Sequence, residues 1–354
     1  MRRAALLGAC LSLLTFTPAI ATEYSVAIFP AHGDRASAQD WEQAYQLATA
    51  TPGLTAYFFA ATWGEFVDDD HNRLEEFKST VRHAQVSKLP GYLGIQVINT
   101  AQRGVPKEFK RTRWTKPELL IKFDDTLKQL ASVTAADIKW LSIGNEADVY
   151  LADNEDELED FLKFYEQAAK TARRYFPNAK IGITVTFDGF SGKRRKIVEQ
   201  LVNVSDGVFI TYYPVTPKLT LKTDTEAEQD IASMLTAYPS KPIYIQELGF
   251  PSSPVVGSSD AAQATYFKKM IATLNATPNI SYVNLFLLHD FSPGVCKALQ
   301  RAYKMIGSDF AALLCSLGLF DTNGKAKESW QVILDALKPV VSVPPPETEP
   351  EKSR

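Results

Sequence analysis

Short runs of β-branched, aromatic and aliphatic residues recur along the chain. Each is followed by a longer stretch in which apolar positions return every three or four residues. The short runs predict strands at Tyr24–Phe29, Leu54–Ala60, Tyr92–Ile98, Ile138–Gly144, Lys180–Thr186, Gly207–Tyr213, Pro242–Glu247 and Tyr282–Leu288. Their starts lie roughly 27 to 46 residues apart, room for one helix and two loops, which is what parallel strands joined by crossovers require. Two connecting segments carry helix signals of their own. Asn154 stands before Glu155, Asp156 and Glu157 as an N-cap, and Lys170, Arg173 and Arg174 come before Pro177 at the other end. Ser258, Ser259 and Asp260 introduce a helix expected over Ala261–Leu274.

Eight strand–helix units predict an α/β fold, a (β/α)8 barrel whose closed sheet leaves no edge. A doubly wound open sheet is the alternative. No linker divides residues 22–338, which read as one domain, and no repeat is visible beyond the strand–helix alternation.

The two ends read differently. Arg2 and Arg3, the apolar run from Ala4 to Phe16 and the small residues Ala19 and Ala21 predict a cleaved export signal over residues 1–21. An uncleaved anchor, or a lipoprotein processed at Cys10 after Leu7-Gly8-Ala9, is the alternative. A cleaved chain would be periplasmic or extracellular, with no stable membrane insertion. Residues 339–354, with Pro339 and Pro344 to Pro346, predict a disordered tail. Of the three cysteines, Cys10 would leave with the signal. Cys296 and Cys315 then form an even pair in an oxidising compartment and predict a disulfide.

Composition removes several classes of function. A chain of 354 residues with 45% hydrophobic and 22% charged residues is globular, and a net charge of −3 argues against a nucleic-acid or anionic-membrane surface. No Gly-rich strand-to-helix turn offers a phosphate cradle, and His32, His71, His83 and His289 lack metal-ligand spacing. Asp68-Asp69-Asp70 reads as an acidic helix start rather than a calcium loop, and the basic run Lys107–Arg113 as a solvated face. Neither cofactor nor metal is expected, and the chain is expected to be a monomer.

In a barrel, chemistry gathers at the C-terminal strand ends. There the fourth strand ends in Asn145-Glu146, the sixth in Thr211-Tyr212-Tyr213-Pro214 and the seventh in Gln246-Glu247-Leu248-Gly249. A Glu after an apolar strand is costly without partners or a task. Two such groups facing across the axis suit glycoside hydrolysis, with carboxyls about 5–5.5 Å apart for retention of configuration or about 6.5–9.5 Å apart for inversion. Trp63, after the second strand, offers a flat face for a pyranose ring or packs at the rim. Asn99 and His289, at the third and eighth strand ends, are further candidate substrate contacts; hydrogen-bonded rim residues are the alternative.

This arrangement resembles clan A of the glycoside hydrolases, retaining barrels with an acid/base and a nucleophile on strands 4 and 7. The resemblance rests on Asn145-Glu146, Tyr213-Pro214, Glu247 within Gln-Glu-Leu-Gly-Phe-Pro, and the closing segment Gly318 to Lys325 followed by Trp330. It covers Tyr24 to Leu337. It implies that Glu146 is the acid/base, that Asn145 binds the sugar 2-hydroxyl, that Glu247 is the nucleophile and that Tyr213 hydrogen-bonds it. Period-2 alternation with Thr211 favours Tyr213 over Tyr212 in that role. The chain departs from the pattern twice. Leu287-Leu288-His289-Asp290 stands where many members carry a Trp, and residues 54–66 contain no Arg. The expected function is retaining hydrolysis of a β-linked oligo- or polysaccharide. A non-catalytic glycan- or envelope-binding barrel and a transglycosylase using the same carboxylates are the alternatives.

Overall fold

A computed structural model of the chain describes residues 21–338 apart from Asp69, His71, Ala135, Ala136, Lys304 and Ile306. Apart from Ala21, the expected export signal lies outside the described residues, as does the whole Pro-rich tail. The strands are β1 (Glu23–Val26), β2 (Tyr57–Thr62), β3 (Gly91–Asn99), β4 (Ile138–Asn145), β5 (Lys180–Gly182 and Thr184–Thr186), β6 (Val208–Tyr212), β7 (Ile243–Leu248) and β8 (Ile280–Leu285). Neighbours pair parallel in chain order, β2 to β3 to β4 to the first half of β5, and the second half of β5 to β6 to β7 to β8 to β1. β5 therefore belongs to both sheets. β1 and β2 meet at their lower ends, where Tyr24 O accepts from the Thr55 and Ala56 amides at 2.9 and 3.0 Å. No ladder joins them above that point among the described residues. With helices between successive strands, this is the (β/α)8 architecture.

The helices form where the sequence pattern allows a buried stripe. Leu158–Tyr175 buries Phe161, Phe164, Tyr165, Ala168, Ala169 and Ala172, the spacing of one helical face, and ends on Arg173 and Arg174 at the negative pole of its dipole. Its start differs from expectation. Asn154 does not cap it; its amide donates to Tyr150 O at 2.8 Å, and a 3-10 turn over Glu155–Glu157 intervenes. Ser259 does cap Asp260–Asn275, accepting from the Ala262 amide at 3.1 Å. β8 stops at Leu285, short of the expected Leu288, and the next peptide bond, Phe286–Leu287, is cis.

The barrel interior is layered. Tyr92, Trp140, Phe209, Tyr244 and Tyr282 fill its floor, with the Trp140 and Tyr282 rings 4.5 Å apart and Phe209 and Tyr244 4.7 Å apart. Gly182 makes room for this, since a Cβ there would lie 2.2 Å from the Phe209 ring. Above the floor runs a buried polar belt of Ser25, Ser142, Thr184, Gln246 and Asn284. A polar layer inside a sheet is stable only if its groups satisfy one another, and here they do. Ser25 donates to Asn284 at 2.9 Å, and the Asn284 amide donates to Gln246 O at 2.9 Å.

Beyond β8 the chain makes an excursion through two helices, Pro293–Ala302 and Ser308–Leu314, closed by a disulfide between Cys296 and Cys315. The Cα atoms are 5.9 Å apart, within the reach such a bond needs. The bridge spans 19 positions, so reducing it is expected to remove about 3 kcal/mol of stability in the chain-entropy model. Urea unfolding with and without reductant measures this; coincident curves would show that the excursion is ordered without the bond.

Candidate active site

Glu146 follows the last residue of β4 in a left-handed conformation, φ 47°, between Gly144 at φ 108° and a short helix over Ala147–Asp153. Thr100, past the end of β3, is also left-handed at φ 51°, and its amide donates to Asn145 O at 3.0 Å. Such conformations are costly for residues with a Cβ and persist where surrounding structure imposes them. Two hydroxyls result from this placement. Thr100 donates to Glu146 Oε2 and Thr211, on β6, to Oε1, both at 2.7 Å.

Glu247 sits one residue before the end of β7, in register with Thr211 of β6. The Tyr213 hydroxyl donates to Glu247 Oε2 at 2.5 Å. β6 and the residue after it thus serve both carboxylates, through Thr211 to one and, just past the strand's end, through Tyr213 to the other. Beneath them Gln246, fully buried, is the hub. Its carbonyl oxygen accepts from Tyr92 at 2.7 Å, from Ser142 at 3.1 Å and from Thr184. Its amide donates to Asn145 Oδ1 at 2.6 Å and more weakly to Glu247 Oε1 at 3.5 Å. Asn145 in turn donates to Asn99 Oδ1 at 3.3 Å. Five expected residues, Asn99, Asn145, Glu146, Tyr213 and Glu247, are therefore gathered in one cluster.

Two expected residues are not. Trp63 is wholly buried outside the barrel, its indole donating to Thr126 at 2.9 Å and its ring enclosed by Phe109, Phe123 and Phe164. It has no face left for a sugar. The physical reason is local: Thr62 caps a short helix starting at Trp63, which turns the indole outward onto the helices. His289 is also buried, bonded to Phe29 O at 2.7 Å and packed on Phe320. Burial holds its imidazole below the usual histidine range, and its bond to Phe29 O is what the hydrogen-bonded rim alternative implies.

Several participants were not anticipated. Thr100, Thr211 and Gln246 border the motifs, but uncharged polar residues carry little signal in sequence. Tyr303 comes from the disulfide-closed excursion; burial and then the two nearby carboxylates raise its phenol far above the ordinary range, and it lies against Thr100. Asp148 is fully buried and pins the helix after Glu146, accepting from Arg194 and from the Thr186 amide and hydroxyl, each at 2.8 Å.

Both carboxylates are shifted toward the protonated form. Burial pushes Glu247 up to about 8, with the charge of Glu146 adding and the Tyr213 and Gln246 donors opposing. Glu146 is raised chiefly by burial, against the donors Thr100 and Thr211. Two like charges so placed cannot both ionise readily, so ionising one carboxyl makes the second proton harder to remove. The arrangement can deliver a proton from one carboxyl while the other is anionic. Among the described residues, no group of three or more His, Cys, Asp or Glu is arranged to hold a metal ion.

No family model matches the sequence, and no curated protein matches it significantly. Solved structures do match. The GH5_18 protein from Streptomyces cattleya in complex with GlcNAc superposes with a TM-score of 0.70 at 16% identity, over 90% of this chain and 80% of that one. A variant of it in complex with Manb1-4GlcNAc gives 0.69 at 15% identity, over 89% and 80%. Xylanase 10B from Thermotoga maritima gives 0.59 at 16% identity, over 90% and 95%. Across nearly all of its described length, the chain shares the (β/α)8 fold of the clan A glycoside hydrolases.

Proposed function

We propose that the protein is an exported retaining glycosidase acting on a β-linked glycan. The observation that carries this reading is the pairing of Glu146 and Glu247 at the mouths of β4 and β7, the first held by Thr211 of β6 and the second by Tyr213 just past it. Glu247 would attack the anomeric carbon as its bond to the leaving oxygen breaks, and Glu146 would pass its proton to that oxygen. Glu146, now anionic, would take a proton from water, whose oxygen attacks the same carbon and releases Glu247. Tyr213 holds the nucleophile and steadies its anion, and Asn145 with Asn99 offers amides to the sugar. The disulfide agrees with export to an oxidising compartment.

Screening the purified protein against chromogenic β-glycosides and β-linked polysaccharides tests the proposal. β-Mannosides and GlcNAc-containing oligosaccharides come first, given the complexes of the GH5_18 structures. Release of product that retains its configuration supports the reading. Transfer to added acceptor sugars would make it a transglycosylase, and binding without turnover would make it a binding protein.

The pair's protonation gives a pH dependence with a definite sign. A carboxyl raised in the folded chain binds its proton more tightly there, so the stability it contributes is present below the ordinary value of 4.5. That contribution is lost as pH climbs from 4.5 to about 8. Wild-type thermal stability is therefore expected to fall over that window relative to Glu247→Gln, which has no proton to lose. Turnover should fall at alkaline pH, as Glu146, held above the usual carboxylate range by burial, loses the proton it delivers. Melting curves of both proteins at several pH values check the first point; parallel pH profiles would contradict it.

A further inference from the structure

One buried charge beside the carboxylate pair takes no part in the proposed chemistry. Asp148 is the second residue of the helix over Ala147–Asp153, which starts from the left-handed turn at Glu146, and it is fully buried. The loop after β5 encloses its carboxylate. Oδ1 accepts from the Thr186 amide, and Oδ2 from the Thr186 hydroxyl and from Arg194, all at 2.8 Å. Arg194 also donates to Thr186 Oγ1 at 3.0 Å. Gly189 in that loop leaves no slack, since a Cβ there would lie 2.5 Å from Asp148 Oδ2. The two charges differ in setting: the Arg194 side chain is 26% exposed and that of Asp148 not at all. Holding a short helix in place does not call for a buried ion, because apolar contacts of similar size do so without the desolvation cost.

We infer that Asp148 and Arg194 are positioning residues for Glu146, an inference that rests on the glycosidase reading: their ion pair fixes the turn that carries the acid and keeps its proton in place until the leaving oxygen takes it. Glu146 has two duties, as an acid in the first step and a base in the second. Its donors Thr100 and Thr211 favour the anion. The negative charge of Asp148 opposes ionisation, and the positive charge of Arg194 limits that opposition. A charge in the interior is screened less than one that touches water, so Asp148 outweighs its partly solvated partner. The other ionisable groups facing Glu146 are Glu247 on β7, Tyr213 after β6 and Tyr303 from the excursion, while Asp188 also faces Arg194. Among these groups Asp148 alone belongs to the helix that Glu146 begins.

The test follows Glu146 itself. In full-length protein carrying isotopically labelled glutamate and Glu247→Gln, one carboxyl of the pair is left to titrate. Its NMR signal is identified by its loss in Glu146→Gln. Asp148→Asn leaves Arg194 unopposed and is expected to move that titration down by about one unit. Arg194→Gln leaves Asp148 its Thr186 donors and its charge, and should move the titration up. The double variant carries neither charge and should return close to the parent. With Glu247 intact, the alkaline limb of kcat/KM should shift in the same directions on a glycoside with a poor leaving group. Near-UV circular dichroism identifies which single variant is folded, and either one suffices. An unmoved titration in a folded single variant overturns the proposal, as does a double variant displaced as far as Asp148→Asn; the pair would then only fasten the helix. The expected titration shifts without hydrolysis of any glycoside by the wild type keep the two residues assigned and remove the glycosidase reading. Hydrolysis with an unmoved titration does the reverse.

Discussion

Glu247→Ala is expected to turn over no glycoside, because no other group in the cluster can form the covalent intermediate. Azide added to this variant would occupy the vacated space, attack the anomeric carbon from the nucleophile's side and yield a product of inverted configuration. Glu146→Ala should differ. Substrates with poor leaving groups should lose about 10² to 10⁴-fold in rate, the scale of general acid catalysis, while activated aryl glycosides should keep most of their first step. Azide would then trap the glycosyl-enzyme from the side of the missing acid and give retained configuration. Product analysis by NMR distinguishes the two. If both variants keep wild-type rates on a confirmed substrate, the roles are wrong. If the azide products appear exchanged, Glu146 is the nucleophile and Glu247 the acid.

Gln246→Leu should produce the second large effect, on stability and activity together. The side chain is fully buried and joins Tyr92, Ser142, Thr184 and Asn145 to the backbone of Glu247. A leucine of similar size leaves three donors without an acceptor and Asn145 without its amide partner. Each unsatisfied buried group costs about 1–3 kcal/mol, and rotation of the hydroxyls recovers part of it, so a net loss of about 3 kcal/mol or more is expected. Asn145 and Glu247 would also lose their mutual reference, and a displacement near 1 Å is worth about 10²-fold in rate. Tyr92→Phe removes one of the three donors and should cost only about 1 kcal/mol. Urea unfolding of the two variants makes the comparison; equal losses would show that the belt is not organised around Gln246.

The fold was legible because strand runs and helical stripes repeat with little interference. β4 begins at Ile138 as expected and ends at Asn145, and β7 runs from Ile243 to Leu248 against an expected Pro242–Glu247. β2 begins at Tyr57 rather than Leu54, because Thr55 and Ala56 are spent on bonds to Tyr24. The carboxylates and Tyr213 were legible because ionisable and phenolic groups after apolar strands are conspicuous. Trp63 misleads because the side-chain direction at a strand end depends on the next turn, here the short helix that Thr62 caps. Gln246 and Tyr303 were hidden for opposite reasons. One is an uncharged residue whose role lies wholly in its partners; the other is brought in from a segment outside the strand–helix rhythm.

The left-handed backbone at Glu146 bears on how this protein could change over generations. A residue at φ 47° is held against its own preference, and a buried carboxyl beside a second one adds to the burden. Glycine at that position would relieve both at once, by roughly 1 kcal/mol from the backbone alone. Selection for thermal tolerance without selection for turnover would therefore drift toward a more robust, inert barrel. In a collection of descendants, an intact Glu146 would be the mark of lineages still under demand for chemistry.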